Sequence, residues 1–198
     1  MPLKLNSSSG GSVTLQEPTT ASNRTITFPD GTGTVAVNGV SSNIVSGTSQ
    51  ASTSGTNIDF TSIPSWAKRV TVMFDQVSTN GTSNMQIQLG TSSGIQATSY
   101  NCVWSYNGPG NSGAAITTGF GIFHNSAGDN KTGSVSFVLF NNNTWVGFGG
   151  FANLGAQPGY TMFTSGSKSL GATLDRVRIT TVNGTDTFDA GTINILYE

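Results

Sequence analysis

The sequence predicts an all-β protein: an antiparallel β-sandwich, jelly-roll-like, preceded by an extended β-rich N-terminal arm. Three observations carry that prediction. Apolar residues alternate with period two in segment after segment, which is the signature of strands with one buried face. No window places them at i, i+3, i+4 and i+7 over the length a helix requires. Finally, 98 of the 198 residues are Ser, Thr, Asn or Gly, small neutral types that suit turns and wet strand faces. Disordered chains of low hydropathy usually carry high net charge, whereas this chain has a net charge of −1, 35% hydrophobic residues and 9% aromatics.

Taken in order, residues 1–45 form the arm. Short β candidates at Ser12 to Leu15, Arg24 to Phe28 and Thr34 to Val37 are broken by Pro18, Pro29-Asp30-Gly31 and Asn38-Gly39. Their apolar side chains, Leu3, Leu5, Val13, Leu15, Ile26, Phe28, Val35 and Val37, are too few over so many turns to close a core. The arm is therefore expected to attach to another surface through them. Residues 46–56, rich in Ser, Thr and Gly, read either as a flexible linker or as an edge strand. The sandwich is expected over 57–198. Within it Val70, Val72 and Phe74 share a face, as do Met85, Ile87 and Leu89; Val135, Phe137 and Leu139; Val177 and Ile179; and Ile193, Ile195 and Tyr197. Turn signals at Asn80-Gly81, Asn107-Gly108-Pro109-Gly110, Ala127-Gly128-Asp129-Asn130, Pro158-Gly159 and Asn183-Gly184 separate them. Eight or nine short strands result, and Ser65 to Arg69 after Pro64 reads as a turn.

Composition also excludes functions. One cysteine, Cys102, allows no intrachain disulfide and no cysteine-cluster zinc site. One histidine, His124, removes most zinc and iron sites, and any Ser-His-Asp mechanism would depend on it alone. No cofactor and no metal are expected. Eight Lys and Arg against nine acids, spread along the chain, argue against nucleic-acid binding by a broad basic patch. The longest apolar run, Phe137 to Phe140, is far short of a membrane helix, and Met1 to Gly11 lacks the apolar core of a signal peptide. Neither membrane insertion nor export by such a signal is expected.

The residues that could carry chemistry have plainer readings beside them. His124 follows an apolar strand with no Ser or Asp at triad spacing and no Gly-x-Ser-x-Gly, so it reads as a strand-end histidine. Asp186 and Asp189 supply too few oxygens for calcium and read as loop acids near a hairpin. Trp66, Trp104, Trp145, Tyr100, Tyr106 and Tyr160 read first as core or interface rings. Of these, Tyr100, Trp104, Tyr106 and Tyr160 lie in or beside Gly-rich loops and are the candidates for surface recognition, for instance of a sugar ring. Gly119-Phe120-Gly121 and Gly147-Phe148-Gly149-Gly150 lack the Lys and Ser or Thr of a phosphate loop and fit close backbone approach. Lys68, Arg69, Arg176 and Arg178 read as solvated edge charges or as partners for acids on a neighbouring subunit. A glycosidase would need paired carboxylates, but the only two Glu are Glu17 and Glu198, and the seven Asp show no pairing. The chain is not expected to be an enzyme.

The segment from Gly11 to Val35, with its short strand, Pro18-Thr19-Thr20 bend, Asn23-Arg24-Thr25 strand and Pro29-Asp30-Gly31-Thr32-Gly33-Thr34 turn, resembles a segment recurrent in tailed-bacteriophage virion proteins. Ile58 to Val72, with Ile63-Pro64-Ser65-Trp66-Ala67-Lys68-Arg69, is similar to the opening strand of sandwich domains in phage fibre and head-surface proteins. The resemblance implies a structural component of the virion surface, assembled in the host cytoplasm. Its implied partners are itself, as a homotrimer, and the major capsid protein or another virion protein. The expected function is capsid decoration, a cement protein held by its arm. The alternative is a tail or head fibre that recognises host surface glycans.

Overall fold

The computed structural model describes residues 3–6, 8–15, 44–156 and 158–198. The chain divides into two units, Met1–Val40 and Ser41–Glu198. In the first, β1 (Leu3–Asn6) and β2 (Ser12–Leu15) form an antiparallel hairpin with Leu3 opposite Leu15. Leu5 is exposed. The side chains of Leu3, Val13 and Leu15, and residues Ile26, Phe28, Val35 and Val37, lie outside the described residues.

The second unit is all-β, and every strand pairing in it is antiparallel. Its strands are β3 (Val45–Ser46), β4 (Gln50–Ala51), β5 (Asn57–Phe60), β6 (Arg69–Thr79), β7 (Met85–Thr91), β8 (Gly94–Ile95) and β9 (Asn101–Asn107), followed by β10 (Ser112–Ile116), β11 (Phe120–Ile122), β12 (Lys131–Asn141), β13 (Thr144–Asn153), β14 (Thr161–Ser169), β15 (Arg176–Thr181) and β16 (Phe188–Tyr197). The larger sheet has nine strands in the order β10-β9-β14-β13-β12-β6-β16-β3, with β4 also on β16. The smaller has the order β11-β7-β15-β5, with β8 on β7. Residues 45–52 run along β16 as an edge: Gly47 N–H donates to Ile195 O, Ser52 N–H to Gly191 O and the Ser52 hydroxyl to Ala190 O. Residues 65 and 66 form a turn, as expected after Pro64.

Period-two alternation puts the core between the sheets. Val70, Val72 and Phe74 of β6, Val135 and Phe137 of β12, and Ile193 and Ile195 of β16 face Ile87, Leu89, Val177 and Ile179 of the smaller sheet, all buried. Phe120 of the smaller sheet meets Phe137 of the larger at 4.8 Å between ring centroids, and within the larger sheet Phe74 meets Phe151 at 5.1 Å, both edge-on. Gly147 makes the first pair possible, because a Cβ there would press on both rings.

One strand departs from its expected half-burial. All seven residues of β7 are buried, Gln86 and Gln88 included. Residues 117–119 cross the outer side of β7, and the amides are satisfied there. Gln88 Nε2 donates to Thr118 O, Gln86 Nε2 to Thr181 O, and the Thr118 hydroxyl donates to Gln86 Oε1.

Candidate contact surface

The inner face of the nine-stranded sheet is core; among the described residues the outer face is exposed. Strand register defines what it displays. One row runs from Ala115 through Val103, Ser165, Phe148, Ser136 and Thr71 to Leu196, each residue directly opposite the next on the adjacent strand. Beside it, Phe163 stands opposite Gly150, and Val146 opposite Val138. Phe148 is 66% exposed and Val103 55%; Phe163, Val138 and Val146 are exposed as well. Phe140, two residues beyond Val138 on β12, is exposed too, and many of the other positions are neutral hydroxyls and amides, some tied across strands, as in Thr71 with Ser136 at 2.9 Å and Thr144 with Ser169 at 2.7 Å. Charge is sparse: Asp75 on β6, Asp189 near the start of β16, and Arg69, which pairs with Glu198 at 3.0 Å. At about 4.8 Å per strand, seven strands span roughly 30 Å. Such a patch is large enough for a protein interface of about 800 Å² per partner.

The aromatic candidates separate into two groups. Tyr100 is buried under the core: its hydroxyl accepts from Leu89 N–H at 2.7 Å, its ring meets Phe120, and burial pushes its ionisation well above the ordinary tyrosine range. It offers no surface. Trp104, Tyr106 and Tyr160 do converge, half-buried, around Phe123. Tyr106 stacks on Phe123 at 4.0 Å and Trp104 at 5.5 Å, while Tyr160 lies 5.6 Å from Tyr106. Phe123, missed in the sequence because it sits past a strand end, is the centre of this cluster. Trp145 is in the core, and Trp66 is half-exposed against Tyr197.

His124 is buried, with Nε2 3.0 Å from the Thr79 hydroxyl and its backbone N–H donating to Asn84 Oδ1. Burial lowers its pKa to about 4, helped by the positive charge of Lys131. A neutral imidazole beside a hydroxyl has the makings of a base and nucleophile, but Thr79 is wholly buried and no substrate reaches it. Asp186 stitches two loops: Ser83 N–H and Asn183 Nδ2 each donate to one of its oxygens, and these bonds, the Asn183 one foremost, hold its carboxyl below the usual range. Asp189 stands apart on β16. Among the described residues no cluster of His, Cys, Asp or Glu could hold a metal. The three arginines among the basic candidates pair with acids of the same chain: besides Arg69 with Glu198, Arg178 grips Asp59 with two bonds of 2.7 Å across β15 and β5, and Arg176 takes Asp175 at 2.9 Å. Cys102 is buried, its thiol pushed up by desolvation.

A pocket of about 80 Å³ beside Ile63, Lys68, Asn142 and Trp145 has room for water but not for a metabolite. Among the described residues, no helix is long and apolar enough to cross a membrane. Compared with family models, curated proteins and solved structures, the chain has no match in any of the three.

Proposed function

We propose that this chain is a non-enzymatic structural protein of a tailed-bacteriophage virion that decorates and stabilises the capsid surface. In this reading, residues 1–45 attach to the particle and the sandwich faces outward, self-associated as a homotrimer. The observation that carries it is the outer sheet face: broad, almost uncharged and set with Val103, Val138, Val146, Phe148 and Phe163. Monomeric soluble proteins rarely expose contiguous apolar patches of this kind unless another protein covers them. Small free energies per contact accumulate when many copies are held on one lattice. Strand ladders and neutral polar faces also depend little on salt, which suits a particle outside the cell. The test is deletion of residues 1–45: the sandwich should stay soluble and folded but no longer bind capsids. Retained binding would remove the arm from the account.

A second reading, a tail or head fibre that binds host surface glycans, draws on the gathering of Trp104, Tyr106 and Tyr160 around Phe123. Sugar binding on a glycan array, lost in Trp104→Ala and Tyr106→Ala variants that still fold, supports that reading over the first.

A further inference from the structure

At one end of the larger sheet, the inward positions of two adjacent strands are polar. Carrying the alternation of Phe137 and Val135 back along β12 brings Lys131 to the inner face, and carrying Phe151 forward along β13 brings Asn153 there. The two are direct cross-strand partners, a register that sets their Cβ atoms about 5 Å apart. Asp129, two residues before Lys131, bridges them: Lys131 Nζ lies 3.2 Å from Asp129 Oδ2, and Asn153 Nδ2 donates to Asp129 Oδ1 at 2.8 Å. Lys131 and Asp129 are 0% exposed and Asn153 is 1% exposed. Val77, opposite Lys131 on β6, and Phe151 are also buried.

A charged pair so deeply buried is costly, and passage of one proton from the ammonium to the carboxylate removes both charges at once. Desolvation lowers the Lys131 pKa, while Asp129 opposes that fall. Transfer of that proton would set a neutral amine and a carboxylic acid beside the Asn153 carboxamide, out of water. That is the arrangement required for an amine to displace ammonia from an amide.

We propose that Lys131 and Asn153 are joined by an intramolecular isopeptide bond, formed by the folded chain itself with Asp129 as the proton carrier. The Lys131 Nζ lone pair attacks Asn153 Cγ, and the carbonyl π electrons move onto Oδ1. The proton that Asp129 took from the ammonium passes to Nδ2, the leaving nitrogen. The carbonyl re-forms, the Cγ–Nδ2 bond breaks, Nδ2 departs as ammonia carrying its own two hydrogens and that proton, and the Asp129 carboxylate takes the second proton from Nζ. One amine and one primary amide become one secondary amide and one ammonia, with no oxidant, metal or cofactor consumed. The product clamps β12 to β13 at the end of their ladder, and its acylated lysine no longer carries a charge into the core.

Peptide mapping of the full-length protein, folded, incubated and then denatured, tests this. Trypsin cuts after Arg69, Lys131 and Lys168, so an unlinked chain yields separate peptides 70–131 and 132–168. The linked chain yields a single peptide 70–168, lighter by one ammonia, because trypsin does not cut at an acylated lysine. Cleavage after the aromatic residues between 131 and 153 should leave the two ends still joined. Cyclisation at Asn80-Gly81 or Asn107-Gly108 also releases ammonia but leaves Lys131 cleavable, so the map separates the two. Asp129→Asn, folded by circular dichroism, should yield the separate peptides; a link that persists there overturns the role given to Asp129. Separate peptides with an unmodified Lys131 in the wild-type chain overturn the proposal whether or not any variant folds. Loss of water with Lys131 joined to Asp129 overturns the assignment of Asn153.

Discussion

Val103 and Phe148 lie in one cross-sheet row, each directly opposite Ser165, on the strands that flank β14. Both point away from the core, and their row continues through Ser136 and Thr71 into the far half of the sheet. Apolar residues interspersed with Ser and Thr along this row give a surface suited to contact.

The double variant Phe148→Ser, Phe163→Ser should therefore leave the sandwich intact and weaken its association. Neither ring contributes to the core, so stability should change by no more than about 0.5 kcal/mol. Sedimentation velocity should show a shift toward smaller species. A melting temperature that falls by many degrees would mean the rings are structural.

The pH dependence of stability should carry the mark of His124. Its pKa is near 4 in the fold against 6.5 for a free imidazole, so between those values the unfolded chain binds a proton that the native state refuses. Stability from this group is complete above pH 6.5 and is lost as pH falls toward 4, by on the order of 3 kcal/mol. Urea titrations across that window should show the loss in the wild type and its near absence in His124→Gln.

Gly147 sits directly against the ring pair that joins the two sheets. A methyl group there would press on the rings of Phe120 and Phe137, and neither has room to withdraw. Gly147→Ala should destabilise by about 1–3 kcal/mol, read as a lower urea midpoint. By contrast, Gly159, with nothing near its Cβ direction, sits at φ +93, so Gly159→Ala should cost only its backbone strain.

The Arg178 and Asp59 pair is two-pronged but a third exposed on each side. Asp59→Asn should therefore cost no more than about 1 kcal/mol, and the difference from wild type should shrink in molar salt.

Much of this architecture was legible in the residues. The residues Val70, Val72 and Phe74, Val135 and Phe137, and Ile193 and Ile195 fall at every second position and are buried as that spacing implies, and Asn183-Gly184 marks the turn between β15 and β16. The full burial of β7 was not legible, because the cover over Gln86 and Gln88 comes from residues 117–119, distant in sequence. The contact face was half legible: Phe148 and Phe163 stand on the polar parity of their strands, but only register shows that they join Val103. Asp129 belongs to the Ala127-Gly128-Asp129-Asn130 turn signal, while Lys131 and Asn153 belong to no motif. The parity of Phe137 and Phe151, carried to the strand ends, places both inward; an ionisable residue at an apolar parity was the signal.

The central proposal is that the protein is a component of the virion surface. Electron microscopy of purified phage particles labelled for this chain tests that most directly. Label distributed over the whole shell is the predicted result, and label confined to one vertex would favour the fibre reading over decoration. Particles that carry none of the protein would contradict the account.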